Sequence, residues 1–283
     1  MNYTTLVSTD VLASHLHDES WVIIDCRFSL NDTERGRQAY FDAHIPGAVY
    51  AHLDEDLSGP VIAGKTGRHP LPTVSAIAET LSRWGIDSGV QVVVYDDARG
   101  SIAARLWWML RWLGHQHVAV LDGGWDVWCS EGRPVASGAE STAPRVFIPR
   151  PQPDLVVDAE RVLAVRNDPA FRIIDSRTED RYRGENEPID PIGGHIPGAV
   201  CGSFAANLQP DGRFRSQEEL RTRFQALLGD ASVNHTIFYC GSGVTAAHNL
   251  LALAHADLGD GLLYAGSWSD WITDPGRPIE QGS

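Results

Sequence analysis

The chain has 283 residues, of which 43% are hydrophobic, and it carries a formal net charge of -14 at pH 7. This length is sufficient for two ordinary domains, and the apolar fraction excludes disorder of the chain as a whole. The acidic balance excludes wholesale binding to nucleic acid or to an anionic membrane, since both require a basic field. We therefore expect small molecules or proteins as partners.

The first residues and the cysteines indicate a cellular compartment. Residues 1–20 lack the basic start and apolar core of a signal peptide, and no apolar run approaches the length of a membrane span. We therefore expect a cytosolic protein. The four cysteines are Cys26, Cys129, Cys201 and Cys240. They show no paired metal-ligand spacing and should stay reduced in the cytosol, so neither a disulfide framework nor a zinc site is expected.

The same series of motifs occurs twice along the chain, in the same order. The first half contains VIIDCR at 22–27, AHIPGAV at 43–49, VVVYD at 92–96, LDGGWDVW at 121–128 and GRP at 132–134. The second half contains RIIDSR at 172–177, GHIPGAV at 194–200, TIFYC at 236–240, YAGSWSDW at 264–271 and GRP at 276–278. The offsets run from 143 residues (121 to 264) to 151 residues (43 to 194), which indicates a tandem duplication.

The duplication predicts two domains, residues 1–135 and 155–283. Residues 136–154 between them are rich in proline and small polar residues and are predicted to form an exposed linker. Within each copy short apolar strands alternate with helical patterns, such as those at 75–86 and 216–229. This alternation predicts an α/β fold in which each domain is a parallel sheet with helices on both faces.

The stretch FYCGSGVTAAH at 238–248 places a cysteine between a predicted strand and a predicted helix. Apolar residues at 237–239 predict a buried strand, and apolar side chains recur at helical spacing from Val244 onward. A strand-to-helix turn directs backbone N–H groups into a concavity at the positive end of the helix dipole, where an anion is stabilised. Because the thiolate is the nucleophilic form of cysteine, Cys240 is the predicted nucleophile.

The segments IIDSR, GHIPGAV, CGSGVT and GSWSDW together resemble the rhodanese family of sulfurtransferases in its tandem form. The CGSGVT loop is similar to that of the 3-mercaptopyruvate enzymes, whereas thiosulfate enzymes typically carry a basic residue where Gly241 stands. Aligning VVVYD with TIFYC puts Asp96 at the position of Cys240, so the resemblance implies an inactive first copy.

The resemblance implies a reaction and its participants. Cys240 would take sulfur from 3-mercaptopyruvate, or alternatively from thiosulfate, as a persulfide, and a second nucleophile would remove it. The acceptor could be cyanide, a small thiol or a reduced thioredoxin-like protein, and neither a cofactor nor a metal is required. The loop predicted to hold the thiolate and persulfide consists of Gly241, Ser242, Gly243, Val244 and Thr245.

The resemblance also implies roles for side chains outside this loop. Arg181 matches the family arginine that binds the anionic group of the donor, and Arg177 lies just before it in the same segment. Ser242 matches the serine that mercaptopyruvate enzymes place two positions after the cysteine. His69 and Asp56 look like the histidine and aspartate that assist proton transfer to the departing pyruvate enolate, although Asp54 is close enough to take the place of Asp56.

One segment departs from the family pattern. Mercaptopyruvate enzymes commonly carry a second substrate-binding arginine before GHIPG, yet ENEPIDPIGG at 185–194 has no basic residue. Either Arg177, Arg183 or a first-domain residue such as Arg99 replaces it, or thiosulfate is used better than the cysteine loop suggests.

Several residues and rival functions have simpler interpretations. His44 and His195, and likewise Asp25 and Asp175, recur in both copies, so we expect structural roles for them. Cysteine phosphatases and arsenate reductases need an arginine six positions after the cysteine, where this chain has Ala246. A papain-type peptidase would need a catalytic histidine and a different cysteine setting. A docking module without activity is the remaining alternative, and retention of the second-copy cysteine speaks against it.

Overall fold

The structure, a computed structural model, describes residues 2–282 and divides into two compact units. The first unit contains the described residues up to Gly59, then Pro72–Gln152 and Pro210–Phe214. The second contains Pro60–Leu71, Pro153–Gln209 and the described residues from Arg215 onward. Each unit therefore includes one short segment from the opposite half of the sequence. The sequence analysis did not anticipate this exchange.

The first unit is built on one five-stranded parallel sheet. Its strands are β1 (Leu6–Val7), β2 (Trp21–Asp25), β3 (Val49–Tyr50), β4 (Gln91–Tyr95) and β5 (Val118–Leu121). Its helices are α1 (Thr9–Ser14), α2 (Arg35–Asp42), α3 (Val74–Arg83), α4 (Ala103–Trp112) and α5 (Gly124–Ser130). The strand order is β1-β5-β4-β2-β3, so β4 is central, and Ile23 lies opposite Val93 in the register.

The second unit repeats this architecture. Its strands are β6 (Val156–Val157), β7 (Arg172–Asp175), β8 (Val200–Cys201), β9 (Thr236–Tyr239) and β10 (Leu262–Tyr264). Its helices are α6 (Ala159–Val165), α7 (Glu179–Arg183), α8 (Gln217–Leu228), α9 (Thr245–His255) and α10 (Ser267–Trp271). The order β6-β10-β9-β7-β8 makes β9 central, and all pairings are parallel. The predicted α/β class is confirmed.

The sequence repeat corresponds to repeated contacts inside the two units. The buried carboxylates Asp25 and Asp175 accept charge-assisted hydrogen bonds at 2.6 and 2.5 Å from the arginines two positions later, Arg27 and Arg177. The indole N–H groups of Trp128 and Trp271 each donate at 2.8 Å to the carbonyl of the proline in a GRP motif, Pro134 and Pro278. The structural roles expected for the repeated aspartates are thus confirmed.

The repeated histidines also stabilise the fold. Nδ1 of His44 lies 2.7 Å from the Tyr40 carbonyl oxygen, and Nδ1 of His195 lies 2.8 Å from the Tyr182 carbonyl oxygen. Both imidazoles stack on the tyrosine whose carbonyl they contact. This confirms the expectation that they hold the turns before the IPG motifs.

The segment predicted as a linker is attached to the first unit along part of its length. The backbone N–H groups of Arg145, Arg150 and Gln152 donate to carbonyls of the first unit, and Phe147 is buried. The buried Phe147 side chain and these backbone hydrogen bonds therefore attach to the first unit a stretch whose composition predicts an exposed linker. In the described part of the chain no helix is long and apolar enough to span a membrane.

Candidate active site

Cys240 lies at the carboxyl end of the central strand of the second unit. It follows β9 directly, and α9 begins five residues later at Thr245. The carbonyls of Cys240 and Gly241 accept backbone hydrogen bonds at 3.0 and 2.9 Å from Trp268 and Ser269, so α10 holds the loop in place. Gly243 has φ 75°, and a Cβ there would collide with the carbonyl oxygen of Ala265. Only glycine fits this position.

The loop stabilises the thiolate of Cys240. The residue is 1% exposed, and burial by itself raises the pKa of a thiol. Hydrogen bonds from the Thr245 side chain and from the backbone N–H groups of Ser242, Ala246 and Gly243 outweigh that effect and lower the pKa of Cys240 below its ordinary value. The loop predicted to hold the thiolate therefore lowers the pKa of its cysteine, as a nucleophilic cysteine requires.

The other three cysteines show the opposite behaviour. Burial raises the pKa of Cys26 well above its ordinary value and raises that of Cys201 to about 11. Burial also raises the pKa of Cys129, although less of that residue is enclosed. Cys240 is thus the one cysteine of the chain whose surroundings favour the thiolate. None of the four is in a disulfide.

A serine in a strained backbone conformation forms a hydrogen bond with the backbone of Cys240. Ser267 has φ 56°, in the left-handed region that costs a non-glycine residue about 1–2 kcal/mol. Its hydroxyl accepts the Cys240 N–H at 3.0 Å and lies 4.0 Å from the Cys240 sulfur. In the first unit the corresponding position is Gly124, at φ 57°. The first unit thus has glycine at this left-handed position, whereas the second unit, which contains Cys240, has a serine there.

His69 and Ser242, both predicted as site residues, meet in the second unit. Nδ1 of His69 lies 2.7 Å from the Ser242 hydroxyl, and both residues are buried. His69 reaches this position because residues 60–71 belong to the second unit although they come from the first half of the chain. The pair forms a buried polar contact two residues from Cys240.

Arg181 lies against the cysteine loop and is held by two carboxylates. Its guanidinium donates to Glu187 at 2.8 Å and to Asp190 at 3.2 Å. A Cβ on Gly241 would lie 3.4 Å from Nη2 of Arg181, so the guanidinium reaches the residue directly after Cys240. The position suits the predicted role of binding a donor anion.

Arg177 has a different environment. Its side chain is 1% exposed and donates to Asp175, to Glu187 at 3.1 Å and to the Gly194 carbonyl at 2.6 Å. Although burial opposes its charge, the carboxylate of Asp175 raises the pKa of Arg177. The contacts with Asp175 and the Gly194 carbonyl match those of Arg27 with Asp25 and the Ala43 carbonyl, so they favour a structural role over the substrate-binding role predicted from the sequence.

Asp56 and Asp54 belong to the first unit. The Asp56 carboxylate accepts the His52 N–H at 2.9 Å, and burial raises the pKa of Asp56. Burial likewise raises the pKa of Asp54. Within its own unit Asp56 stabilises a turn, and its assignment as a proton-transfer residue stays a prediction.

The first unit has a carboxylate where the second has a thiol. Asp96 follows the central strand β4, and its carboxylate accepts four backbone hydrogen bonds of 2.7–2.8 Å. The donors are the N–H groups of Ala98, Gly100, Ile102 and Ala103. The same type of loop is therefore present in both units, and in the first it binds a side chain of its own.

Arg68 also lies beside the cysteine loop, although it was not among the residues predicted from the sequence. Its guanidinium forms an ion pair with Asp190, and a Cβ on Gly241 would lie 2.9 Å from its Nη2. Its position directly before His69, in GRHPLP at 67–72, is the one sequence feature that connects it with the site. Arg183, considered as a replacement for the missing arginine, pairs with Glu179 and Glu185 instead.

One group of possible metal ligands occurs among the described residues, in the first unit. Ligand atoms of Glu34, His52 and Glu55 lie within 4.8 Å of one another. Both ring nitrogens of His52 are committed, because Nδ1 accepts the N–H groups of Asp54 and Glu55 while Nε2 lies 3.1 Å from the Thr33 carbonyl. The group therefore offers no free imidazole nitrogen to a metal.

Comparisons with known proteins agree with the repeated architecture. A family model described as a rhodanese-like domain matches residues 8–131 and again residues 158–274. A protein of Pseudomonas aeruginosa named "probable 3-mercaptopyruvate sulfurtransferase" is 47% identical over 283 residues, which is all of both chains. Thiosulfate sulfurtransferase of Rattus norvegicus is 35% identical over 99% of this chain and 96% of its own. The structure of SseA from Escherichia coli, a 3-mercaptopyruvate sulfotransferase, superposes with a TM-score of 0.81 at 33% identity, over 94% of this chain and 100% of that one.

Proposed function

Because this chain belongs to the rhodanese family of sulfurtransferases, we propose that it moves sulfane sulfur from 3-mercaptopyruvate to a thiol or cyanide acceptor through a persulfide on Cys240. The observation that carries this proposal is the lowered pKa of Cys240 in a loop of hydrogen-bond donors, beside the guanidinium of Arg181. A thiolate nucleophile and a binding group for the donor's carboxylate are the two elements that the reaction needs.

In the first half-reaction the Cys240 thiolate attacks the sulfur of 3-mercaptopyruvate. The S–S bond forms as the carbon–sulfur bond breaks, and the electron pair leaves on carbon as the pyruvate enolate. A proton then converts the enolate to pyruvate, and the His69–Ser242 pair is suited to deliver it. The Thr245 hydroxyl and the loop N–H groups stabilise the negative charge on sulfur before the attack and on the persulfide after it.

In the second half-reaction an acceptor attacks the outer sulfur of the persulfide. Cyanide becomes thiocyanate, or a thiol becomes a persulfide, and the Cys240 thiolate is regenerated. Oxidation states balance within the two steps, so no external oxidant or reductant takes part. A reduced thioredoxin-like protein would serve as an acceptor in the same way. A reducing compartment such as the cytosol suits this cycle, because it keeps both cysteine and acceptor reduced.

Thiosulfate is the second candidate donor, since the Rattus norvegicus relative is named for it. Its outer sulfur would pass to Cys240 and sulfite would leave without needing a proton. The deciding experiment compares kcat/KM for the two donors with cyanide as acceptor, in the wild type and in Cys240→Ser. We expect kcat/KM to be higher for 3-mercaptopyruvate than for thiosulfate by about tenfold or more, a difference of about 1.4 kcal/mol in activation free energy. A preference for thiosulfate would reverse the donor assignment.

Mass spectrometry of the protein after donor treatment, without acceptor, tests the intermediate. We expect the mass of one added sulfur atom in the wild type and none in Cys240→Ser. Substantial turnover by the serine variant would contradict the persulfide mechanism. If the folded wild type transfers sulfur from neither donor, the protein is a carrier or a docking protein.

A further inference from the structure

Arg68 enters the site on a segment that the second unit takes from the other half of the chain. The N–H of Arg68 donates to the Ser269 hydroxyl at 3.1 Å, and a Cβ on Gly67 would lie 2.6 Å from the Gly266 carbonyl oxygen. The segment thus packs on the turn that also holds the cysteine loop through the Ser269 N–H and the Gly241 carbonyl. This close packing fixes the backbone from which the Arg68 side chain extends.

The two guanidiniums of Arg68 and Arg181 converge on the residue after the nucleophile. A Cβ on Gly241 would lie 2.9 Å from Nη2 of Arg68 and 3.4 Å from Nη2 of Arg181. Both side chains are paired with the same carboxylate, Asp190, which uses one oxygen for each. A carboxylate held between two arginines is the contact that a donor with a carboxylate or sulfonate group would make.

Arg68 also has donor capacity to spare. Its Nε is buried and has no hydrogen-bond acceptor among residues 2–282. Its side chain is 28% exposed, so an incoming anion can reach the head group. An arginine that served only to hold Asp190 would be expected to use its Nε as well, because leaving a buried donor unsatisfied destabilises the fold.

The first unit contains the corresponding arginine but has Asp96 rather than a cysteine after its central strand. Residues 211–214 (DGRF) match residues 66–69 (TGRH), so Arg213 corresponds to Arg68 and Phe214 to His69. Arg213 pairs with Glu131 and Asp211, and Glu131 and Arg213 are both partly exposed. The first unit thus lacks the histidine as well as the nucleophile, and its arginine is held in surface ion pairs.

We propose that Arg68 is the second donor-binding cation of this site, and that Asp190 is the internal anion from which Arg68 and Arg181 turn when the donor binds. This inference rests on the proposed function and assigns the residue that replaces the arginine missing from 185–194. The donor's carboxylate or sulfonate binds between the two guanidiniums, one residue from the attacking sulfur.

The test uses steady-state kinetics with the wild type's preferred donor on the full chain. Arg68→Ala is expected to raise KM by about 10- to 100-fold with kcat changed by no more than about threefold. Arg68→Lys should raise KM less than Arg68→Ala does, because lysine keeps the positive charge but lacks the planar guanidinium that can donate two hydrogen bonds to one anion. Asp190→Asn should lower KM, because it removes the competing carboxylate. Arg213→Ala is the matched control and should behave as the wild type.

A binding experiment makes the test independent of turnover. Pyruvate and sulfate, as inert anions, should slow alkylation of Cys240 by iodoacetamide in the wild type and in Arg213→Ala, and this protection should be lost in Arg68→Ala. Melting temperatures of all variants control for unfolding, and Arg68→Gln replaces the alanine variant if that one fails to fold. Unchanged KM and unchanged protection in the Arg68 variants, or a raised KM in Asp190→Asn, would overturn the inference. If the wild type shows protection but no turnover, the proposed function fails while the anion site stands.

Discussion

Removing one hydroxyl group should raise the pKa of the nucleophile. Thr245 donates a side-chain hydrogen bond to the sulfur of Cys240, and burial is the main effect that opposes ionisation there. Thr245→Val keeps the shape and the β-branch of the side chain but removes the donor. Valine is tolerated at the start of a helix, so α9 should form unchanged.

The size of the effect follows from the energy of a hydrogen bond to a charged group. Such a bond contributes about 1.5–3 kcal/mol, and one pKa unit corresponds to about 1.36 kcal/mol, so the pKa of Cys240 should rise by about 1–2 units. At a pH below the Cys240 pKa values of both the wild type and Thr245→Val, the thiolate fraction falls about tenfold for each unit by which the pKa rises. Alkylation at a pH below both of these pKa values should therefore slow by about 10- to 100-fold, and the rates should converge at high pH.

The assay is the rate of Cys240 alkylation by iodoacetamide as a function of pH, read on the peptide that contains Cys240. Peptide-level detection is needed because Cys129 is exposed and also reacts. Thr236→Val is the matched control. Thr236 is buried at the opposite end of β9, and its hydroxyl donates to the Ser232 carbonyl at 3.0 Å. If Thr245→Val and Thr236→Val titrate alike, the hydroxyl does not stabilise the thiolate and the electrostatic argument is wrong.

Three further substitutions test the site and the first unit. Arg181→Ala should lower kcat/KM for the preferred donor by about 30- to 150-fold, or about 2–3 kcal/mol; an unchanged value would assign the donor anion to another residue. His69→Gln should lower kcat with 3-mercaptopyruvate by about 100-fold or more but have little effect with thiosulfate, because only the enolate needs a proton; equal losses would contradict proton delivery. Asp96→Asn should lower the free energy of unfolding of the first unit by about 2–4 kcal/mol, because two loop N–H groups lose a charged acceptor. A urea titration measures this, and an unchanged midpoint would show that the carboxylate does not stabilise the unit.

Much of the fold could be predicted because its determinants are local and occur twice. An apolar run identified β9, and helical periodicity identified α3 and α8 to within a few residues. The exchange of residues 60–71 and 210–214 between the units could not be predicted. Neither segment has a hydrophobic period, and their positions depend on contacts far apart in sequence.

The same distinction applies to the site. Cys240 and its loop were predictable because a strand, two glycines and a helix lie together in eleven residues. Arg68 was missed because it contacts Asp190, 122 positions away, and no local pattern indicates that pair. For Arg177 the sequence revealed the cation but not its burial against Asp175, since charge alone does not distinguish a binding group from an internal ion pair.

The loops that follow the two central strands act in opposite directions on the acid they hold. Burial raises the pKa of Asp96 in spite of its four backbone hydrogen bonds, whereas the hydrogen bonds to Cys240 outweigh burial and lower the pKa of its thiol. Because the folded-state pKa of Cys240 is depressed, the stability that ionisation contributes is complete above the pKa of an unfolded cysteine and is lost as the pH falls through the folded-state value. Thiolate formation thus acts on the second unit as a bound ligand would. Calorimetry should detect it as the part of the pH dependence of the melting temperature that Cys240→Ser removes.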